Sequence, residues 1–170
     1  LITNSKKQTA MKKSMLVSLL LVTLLFTFGC KKDDPETAPG MTAKVAGNAW
    51  KADLATCAYS QTMNLTQITG MKTLNAEAIQ LNLFGNTTGT YTISDSETTA
   101  VGSYVLNATA EGLYTTLSTE TPLGQIVITE YDQTNKTVSG TFQFDAYNIN
   151  AAKMVITEGK FTKVALIVTQ

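Results

Sequence analysis

Histidine and arginine are absent from the 170 residues, proline occurs three times, cysteine twice and tryptophan once. Without His the chain lacks the commonest general base and the commonest zinc ligand. Without Arg it has no planar fork for bidentate contacts to phosphate or guanine. All 13 basic residues are Lys, balanced by 13 acids, so the formal charge is zero and no basic footprint for nucleic acid exists. Charged residues make up only 15%, hydrophobic residues 44%, and Thr is the commonest type. That composition suits a folded, strand-rich domain, and the length suits a single one.

The one long apolar run, residues 15–28, reads MLVSLLLVTLLFTF and follows Lys12 and Lys13. A spanning helix needs about 20 apolar residues. This run of 14 has the size of a secretory hydrophobic region behind a basic flank. A buried core helix is the competing reading, but the run has no polar face. Met11 is the natural start, since MKK leads at once into the apolar run, and residues 1–10 are expected to lie upstream of it. Residues 1–29 are therefore read as a cleaved signal peptide.

The run closes on Thr27-Phe28-Gly29-Cys30, which resembles a bacterial lipobox, with Thr27 where Leu is usual. The resemblance implies a thioether-linked diacylglycerol on Cys30, cleavage before it and acylation of the new amine, with palmitate-type chains. Lys31-Lys32-Asp33-Asp34 follows and resembles the surface-export signal of Bacteroidota lipoproteins, carried here by Lys32, Asp33 and Asp34. That implies an outer-membrane protein facing the cell exterior. The competing reading is a solvated charged tether. Pro35 and Pro39 favour an extended stalk, so residues 30–40 are read as a lipidated tether. With Cys30 acylated, Cys57 has no partner within the chain. Its stretch LATCAYS predicts a small buried hydrophobe rather than a reactive thiol.

Residues 41–170 are rich in Val, Ile, Thr, Tyr and Phe, broken by Gly, Asn and Asp. No window holds the three-to-four spacing of an amphipathic helix. TAKVA-GN-AWKAD predicts a hairpin turning at Gly47-Asn48, with Val45 facing Trp50, Ala43 facing Ala52 and Lys44 opposite Lys51. Trp50 is expected in the core. Ile79, Leu81 and Leu83 alternate with Gln80 and Asn82 as a half-buried strand, and residues 89–93 and 103–107 read as short strands. In QIVITEYDQTNKTVSGTFQFDA, Ile128 is set opposite Val138 and Ile126 opposite Gly140, with a loop at residues 132–134 and Glu130 facing Lys136. Gly140 predicts a bend or bulge. Residues 154–157 and 161–168 are expected to form a closing hairpin about Glu158-Gly159. About nine to ten strands without helical crossovers predict an all-β domain, an antiparallel sandwich or closed barrel.

TAKVAGNAWKA, GTYTI, ITEYDQTNKTVSGTFQFDA and VITEGKFTKV together resemble a family of small Bacteroidota lipoproteins whose globular domain has no assigned function. The resemblance covers nearly all of residues 41–170. It implies a fold and supplies no catalytic residue.

Chemistry is sparse. Without His and with one unpaired Cys, transition-metal sites are excluded, and no cofactor is expected beyond the covalent lipid. Asp95-Ser96-Glu97 and Glu130-Tyr131-Asp132 are the nearest calcium candidates, yet both read as turns. No G-x-S-x-G elbow and no phosphate loop G-x-x-x-x-G-K occurs. A carboxylate-pair hydrolase is the weakest reading, because sequence cannot place two acids in one cleft. Binding through aromatics is preferred, with a glycan, small ligand or protein as the partner besides the membrane. The candidates are Tyr59, Tyr91, Tyr104, Tyr114, Tyr131 and Tyr147. Tyr114 and Tyr147, in the least regular stretches, lead, although cross-strand packing is the plainer role for any of them. A pilin-like assembly subunit is the alternative, but such pilins mature by cleavage after Arg. Removing residues 1–29 takes four Lys and no acid, leaving nine Lys against 13 acids and a side-chain charge of −4.

Overall fold

Alternation of apolar and polar residues buries every second side chain and leaves the intervening ones to solvent. In the computed structural model, which describes residues 38–94, 99–117, 121 and 123–170, it produces eleven strands and no helix among those residues. They are β1 (Gly40–Val45), β2 (Asn48–Lys51), β3 (Leu54–Ser60), β4 (Leu65–Met71), β5 (Ala78–Phe84) and β6 (Gly89–Ile93). There follow β7 (Ala100–Val105), β8 (Leu113–Thr115), β9 (Gly124–Asp132), β10 (Thr137–Tyr147) and β11 (Lys153–Thr169). β3, β4 and β8 are strands beyond those singled out above. The apolar run at residues 15–28, Cys30, Lys32, Asp33, Asp34 and Asp95-Ser96-Glu97 lie outside the described residues.

All eleven strands belong to one sheet, in the order β2-β1-β11-β3-β4-β5-β7-β8-β10-β9-β6, and β10 also pairs with β11. The path of pairings from β11 through β3, β4, β5, β7, β8 and β10 thus returns to β11. Its β8–β10 link is a single pair, Thr115 with Tyr147. The sheet is mixed rather than wholly antiparallel, because the end of β11 runs parallel to β3, with Leu166 beside Cys57 and Thr169 beside Ser60. A strand this long outruns β1 and takes a second neighbour from a distant part of the chain.

No closing hairpin forms at Glu158-Gly159. β11 runs on as one strand of 17 residues, and Glu158 adopts a positive φ of 50° within it. The shift of register between Phe142 and Phe144 marks the irregularity. Gly159 is needed for room: a Cβ there would lie 2.5 Å from the Phe142 ring. Gly140 plays the expected part, since the register breaks beside it on both flanks and its absent Cβ would lie 2.5 Å from Phe161 Cζ.

Two hairpin registers differ from expectation by two residues, and the faces are kept except beyond Thr129, where β9 bulges. The first turns at Ala46-Gly47, both at positive φ as a type I′ turn requires, and pairs Ala43 with Trp50 and Lys44 with Ala49. Lys44 therefore faces no Lys, and its ammonium pairs with Glu158 at 2.7 Å. In the second, Gly140 pairs with Ile128 and Phe142 with Ile126, across a loop of residues 133–136. The Asp132 carboxylate accepts from Thr134 N at 2.9 Å and Asn135 N at 2.8 Å, which fixes that turn. A slip of two keeps the apolar face inward, so hydrophobic pattern alone leaves it open.

The core joins Met41, Trp50, Ile68, Ile79, Leu81, Leu83, Ile126, Ile128, Phe142, Phe144, Ile156 and Phe161. Phe142 stacks on both Phe144 and Phe161, with ring centroids 6.3 Å apart in each pair. Cys57 is a free, buried thiol, as its neighbours predicted.

Candidate functional site

Lateral pairing collects the tyrosines into two groups at opposite ends of the strands. The near rim is the row Leu54–Met71, Met71–Ala78, Ala78–Val105 and Val105–Leu113, continued by Thr115–Tyr147 and Tyr147–Lys153. The far rim holds the other ends, where Ser60 pairs with Leu65 and with Thr169, and Leu65 with Phe84.

At the near rim Glu77 is the hub. Its Oε2 accepts from Trp50 Nε1 at 3.1 Å, Lys72 Nζ at 2.9 Å and Tyr104 Oη at 3.3 Å. Its side chain is 15% exposed. Burial pushes the carboxyl upward, but the Lys72 hydrogen bond and charge, with Asn75 and Tyr104, outweigh that and hold it below its ordinary value. Tyr104 is pushed up to about 12, first by burial and then by the Glu77 charge. Lys72 Nζ also sits 5.9 Å from the Trp50 ring centroid. Every strong donor in the cluster is engaged by one carboxylate, so the hub pins the β1–β2 hairpin to the loop of residues 72–77.

A carboxyl with a lowered folded pKa stabilises the fold above its unfolded value, and that contribution is lost as pH falls through the folded one. Unfolding free energy of the wild type is thus expected to decline below about pH 4.3. Glu77→Gln is expected to lower stability at neutral pH and to flatten part of the acid decline. Denaturant titrations at pH 7 and pH 3 measure both, and parallel pH profiles would remove Glu77 as the linked group.

Of the two leading sequence candidates, Tyr114 lies in β8 opposite Tyr104, their ring centroids 6.3 Å apart, and is half-buried. Tyr147 ends β10 opposite Thr115 and Lys153. Cross-strand partners share a face and successive residues alternate. Tyr114 and Tyr147 therefore stand at the same rim but on opposite faces of the sheet.

The far rim brings together three of the candidate tyrosines that the sequence ranked behind Tyr114 and Tyr147. Tyr59 shares the buried face with Thr66 and Leu83, Tyr91 with Ile126, and Tyr131 with Val138. Tyr59 Oη donates to Asn64 Oδ1 at 3.0 Å, and Tyr91 Oη donates to Thr87 O at 3.0 Å. Tyr131 Oη is buried and has no hydrogen-bond partner. Burial pushes its phenol above the ordinary value, and Cys57, Tyr59 and Tyr91 lie near enough to add to the shift. Thr66 is close enough to oppose it, yet its hydroxyl donates to Gly85 O and completes no bond with Tyr131. Cys57, beneath this group, is pushed up to about 12 by burial and stays a thiol at neutral pH.

Among the described residues no three His, Cys, Asp or Glu side chains come together as a metal site. Glu130 accepts from Ser139 Oγ at 2.9 Å and Asp132 caps its own turn, so that calcium candidate is spent on local structure. Two open surface depressions, of 280 and 340 Å³, lie along Gly124, Gln143, Asp145 and Thr157, and over Thr42, Lys44, Lys51 and Glu158. Neither is lined by a tyrosine.

The described residues define an all-β domain of one mixed eleven-stranded sheet. A family model described as a domain of unknown function (DUF6252) matches residues 37–165, and the chain belongs to that family. No curated protein and no solved structure matches it.

Proposed function

We propose that the chain is a lipid-anchored protein of the outer leaflet of an outer membrane, and that its β-domain is a non-catalytic module binding a glycan. On this reading the returning path of strand pairings makes a closed barrel, and the far rim is its ligand-binding mouth. The observation that carries the ligand class is the buried, unpartnered Tyr131 hydroxyl beside Tyr59 and Tyr91. An unpaired buried hydroxyl costs about 1–3 kcal/mol, and a sugar hydroxyl reaching it would recover that cost. The loops around it are amide- and hydroxyl-rich, with Asn64, Asn86, Thr87 and Thr88, the donor and acceptor types that sugars need. Trp50 and Tyr104 are committed to Glu77, which removes them as free stacking platforms.

Tyr131→Phe separates binding from packing. Full-length protein in detergent is expected to bind a subset of an immobilised glycan set, and the variant about tenfold more weakly, the equivalent of one lost hydrogen bond. The same variant is expected to melt at the same or a higher temperature, because it discards an unsatisfied polar atom. Wild type that binds no glycan, or equal binding by both proteins, would sink the reading. Concentration-dependent self-association without glycan binding would favour the assembly-subunit alternative. The edge strand β2 is only four residues long and carries Lys51, a poor template for strand addition.

A further inference from the structure

The chain enters its β-domain beside the β3–β4 part of the near rim, where Gly40 pairs with Thr162. Met41 O accepts from Ala52 N at 2.9 Å, Asp53 N donates to Met71 O at 2.9 Å, and Met41 packs over Gly70. Gly40, which opens β1, is ten residues beyond Cys30, so the tether reaches at most about 35 Å even fully extended. This rim therefore cannot move far from whatever holds Cys30.

The same rim projects aliphatic side chains that contribute nothing to the core. Leu54 and Leu113 are exposed at strand starts, Leu106 follows β7, and the loop residues Leu74 and Ile149 are 94% and 70% exposed. Single exposed apolar residues are ordinary. These five are set along one row of paired strands, and Asn148 Nδ2 joins two of the loops by donating to Glu111 O at 2.9 Å. Each loop is closed by its own backbone bond: Lys72 N to Glu77 O, Leu106 N to Gly112 O and Asn148 N to Ala152 O. The tips are thus held in place, and little ordering is needed when they meet a surface.

We infer that the near rim docks on the lipid surface that holds the anchor, its Leu and Ile tips entering the boundary between headgroups and acyl chains. This rests on the lipidation of Cys30. A tether this short confines the rim beside the bilayer, so even weak insertion of a few aliphatic side chains is driven by a high effective concentration. Lys72 and Lys153 flank the tips, but their ammoniums are held by Glu77 at 2.9 Å and Asp145 at 2.7 Å, so the contact rests on the aliphatic tips. The far rim also exposes Met63, Phe84 and Ile167, but the tether enters at the opposite end. Docked this way, the domain turns Tyr59 and Tyr131 away from the membrane.

An environment-sensitive NBD dye on Leu74→Cys tests the contact in the full acylated chain, reconstituted in phosphatidylethanolamine–phosphatidylglycerol vesicles. Cys57 is buried and Cys30 is consumed by the lipid, so the dye reports one position. Emission is expected to shift to the blue and brighten about twofold relative to the same protein carrying Cys30→Ser, as interfacial burial requires. The dye on Thr134→Cys, in the exposed loop of the far rim, is expected to stay unchanged. Adding Leu113→Glu and Ile149→Glu is expected to abolish the Leu74→Cys shift while vesicle flotation persists. Flotation with no shift at position 74, or a shift at position 134 instead, overturns the inference and leaves the anchor intact. A chain that does not float refutes the anchor, and this inference with it. A shift seen in native membranes but not in pure lipid assigns the rim to a protein partner and overturns it too.

Discussion

Cys30→Ser is expected to abolish incorporation of labelled fatty acid and to move the protein from the detergent phase to the aqueous phase. The effect should be large, because on this reading the run at residues 15–28 is removed with the signal and the acyl chains supply the hold on the membrane. Among the described residues no helix is long and apolar enough to cross a bilayer. Transfer of acyl chains is worth about 0.8 kcal/mol per buried CH₂, so one chain holds marginally and three hold firmly. Asp33→Ala with Asp34→Ala is expected to keep the lipid and to lower digestion by protease added outside cells. Normal acyl labelling of Cys30→Ser would refute the anchor, whereas unchanged digestion of the double variant would refute only the export signal.

Phe161→Ala is expected to cost about 3–5 kcal/mol of unfolding free energy, much of the 5–15 kcal/mol typical of a whole domain. Phe161 is fully buried, pairs with Met41 on β1 and with Gly140 on β10, and stacks on Phe142. Its ring occupies the space that a Cβ on Gly140 would need. Truncation leaves a cavity between two strands that cannot close, since the β10–β11 backbone bonds hold them apart. Gly140→Ala attacks the same contact from the other side and also sets its Cβ 2.2 Å from Val127 O, so it should destabilise as well. Chemical denaturation measures both. A loss below about 1 kcal/mol for Phe161→Ala would mean that this side chain packs elsewhere.

Much of the fold was legible because strand signals are local. The alternation through Ile79, Leu81 and Leu83, the GTYTI strand, the inward Trp50 and the kink at Gly140 all follow from neighbours within a few residues. Glu158-Gly159 misled for the same reason: a Gly beside a polar residue marks a turn locally, yet here it fits a bend into a strand gripped by β1 and β10. The Glu77 hub had no local signal, since Trp50, Lys72 and Tyr104 reach it from three separate elements.

The sequence by itself determined the all-β class, the inward face of each regular strand and the absence of histidine chemistry. Those properties depend on residue type and, away from bulges, on a period of two. Tertiary structure alone decided registers, the parallel β3–β11 pairing and which tyrosines meet. Tyr131 shows why. Strict alternation from Ile126 and Ile128 turns it outward, but β9 carries one extra residue at Thr129, where Ile128 pairs with Gly140 and Glu130 with Ser139. That bulge reverses the phase and turns Tyr131 toward Thr66 and Cys57. A bulge is set by the partner strand, and the partner is chosen by the whole fold.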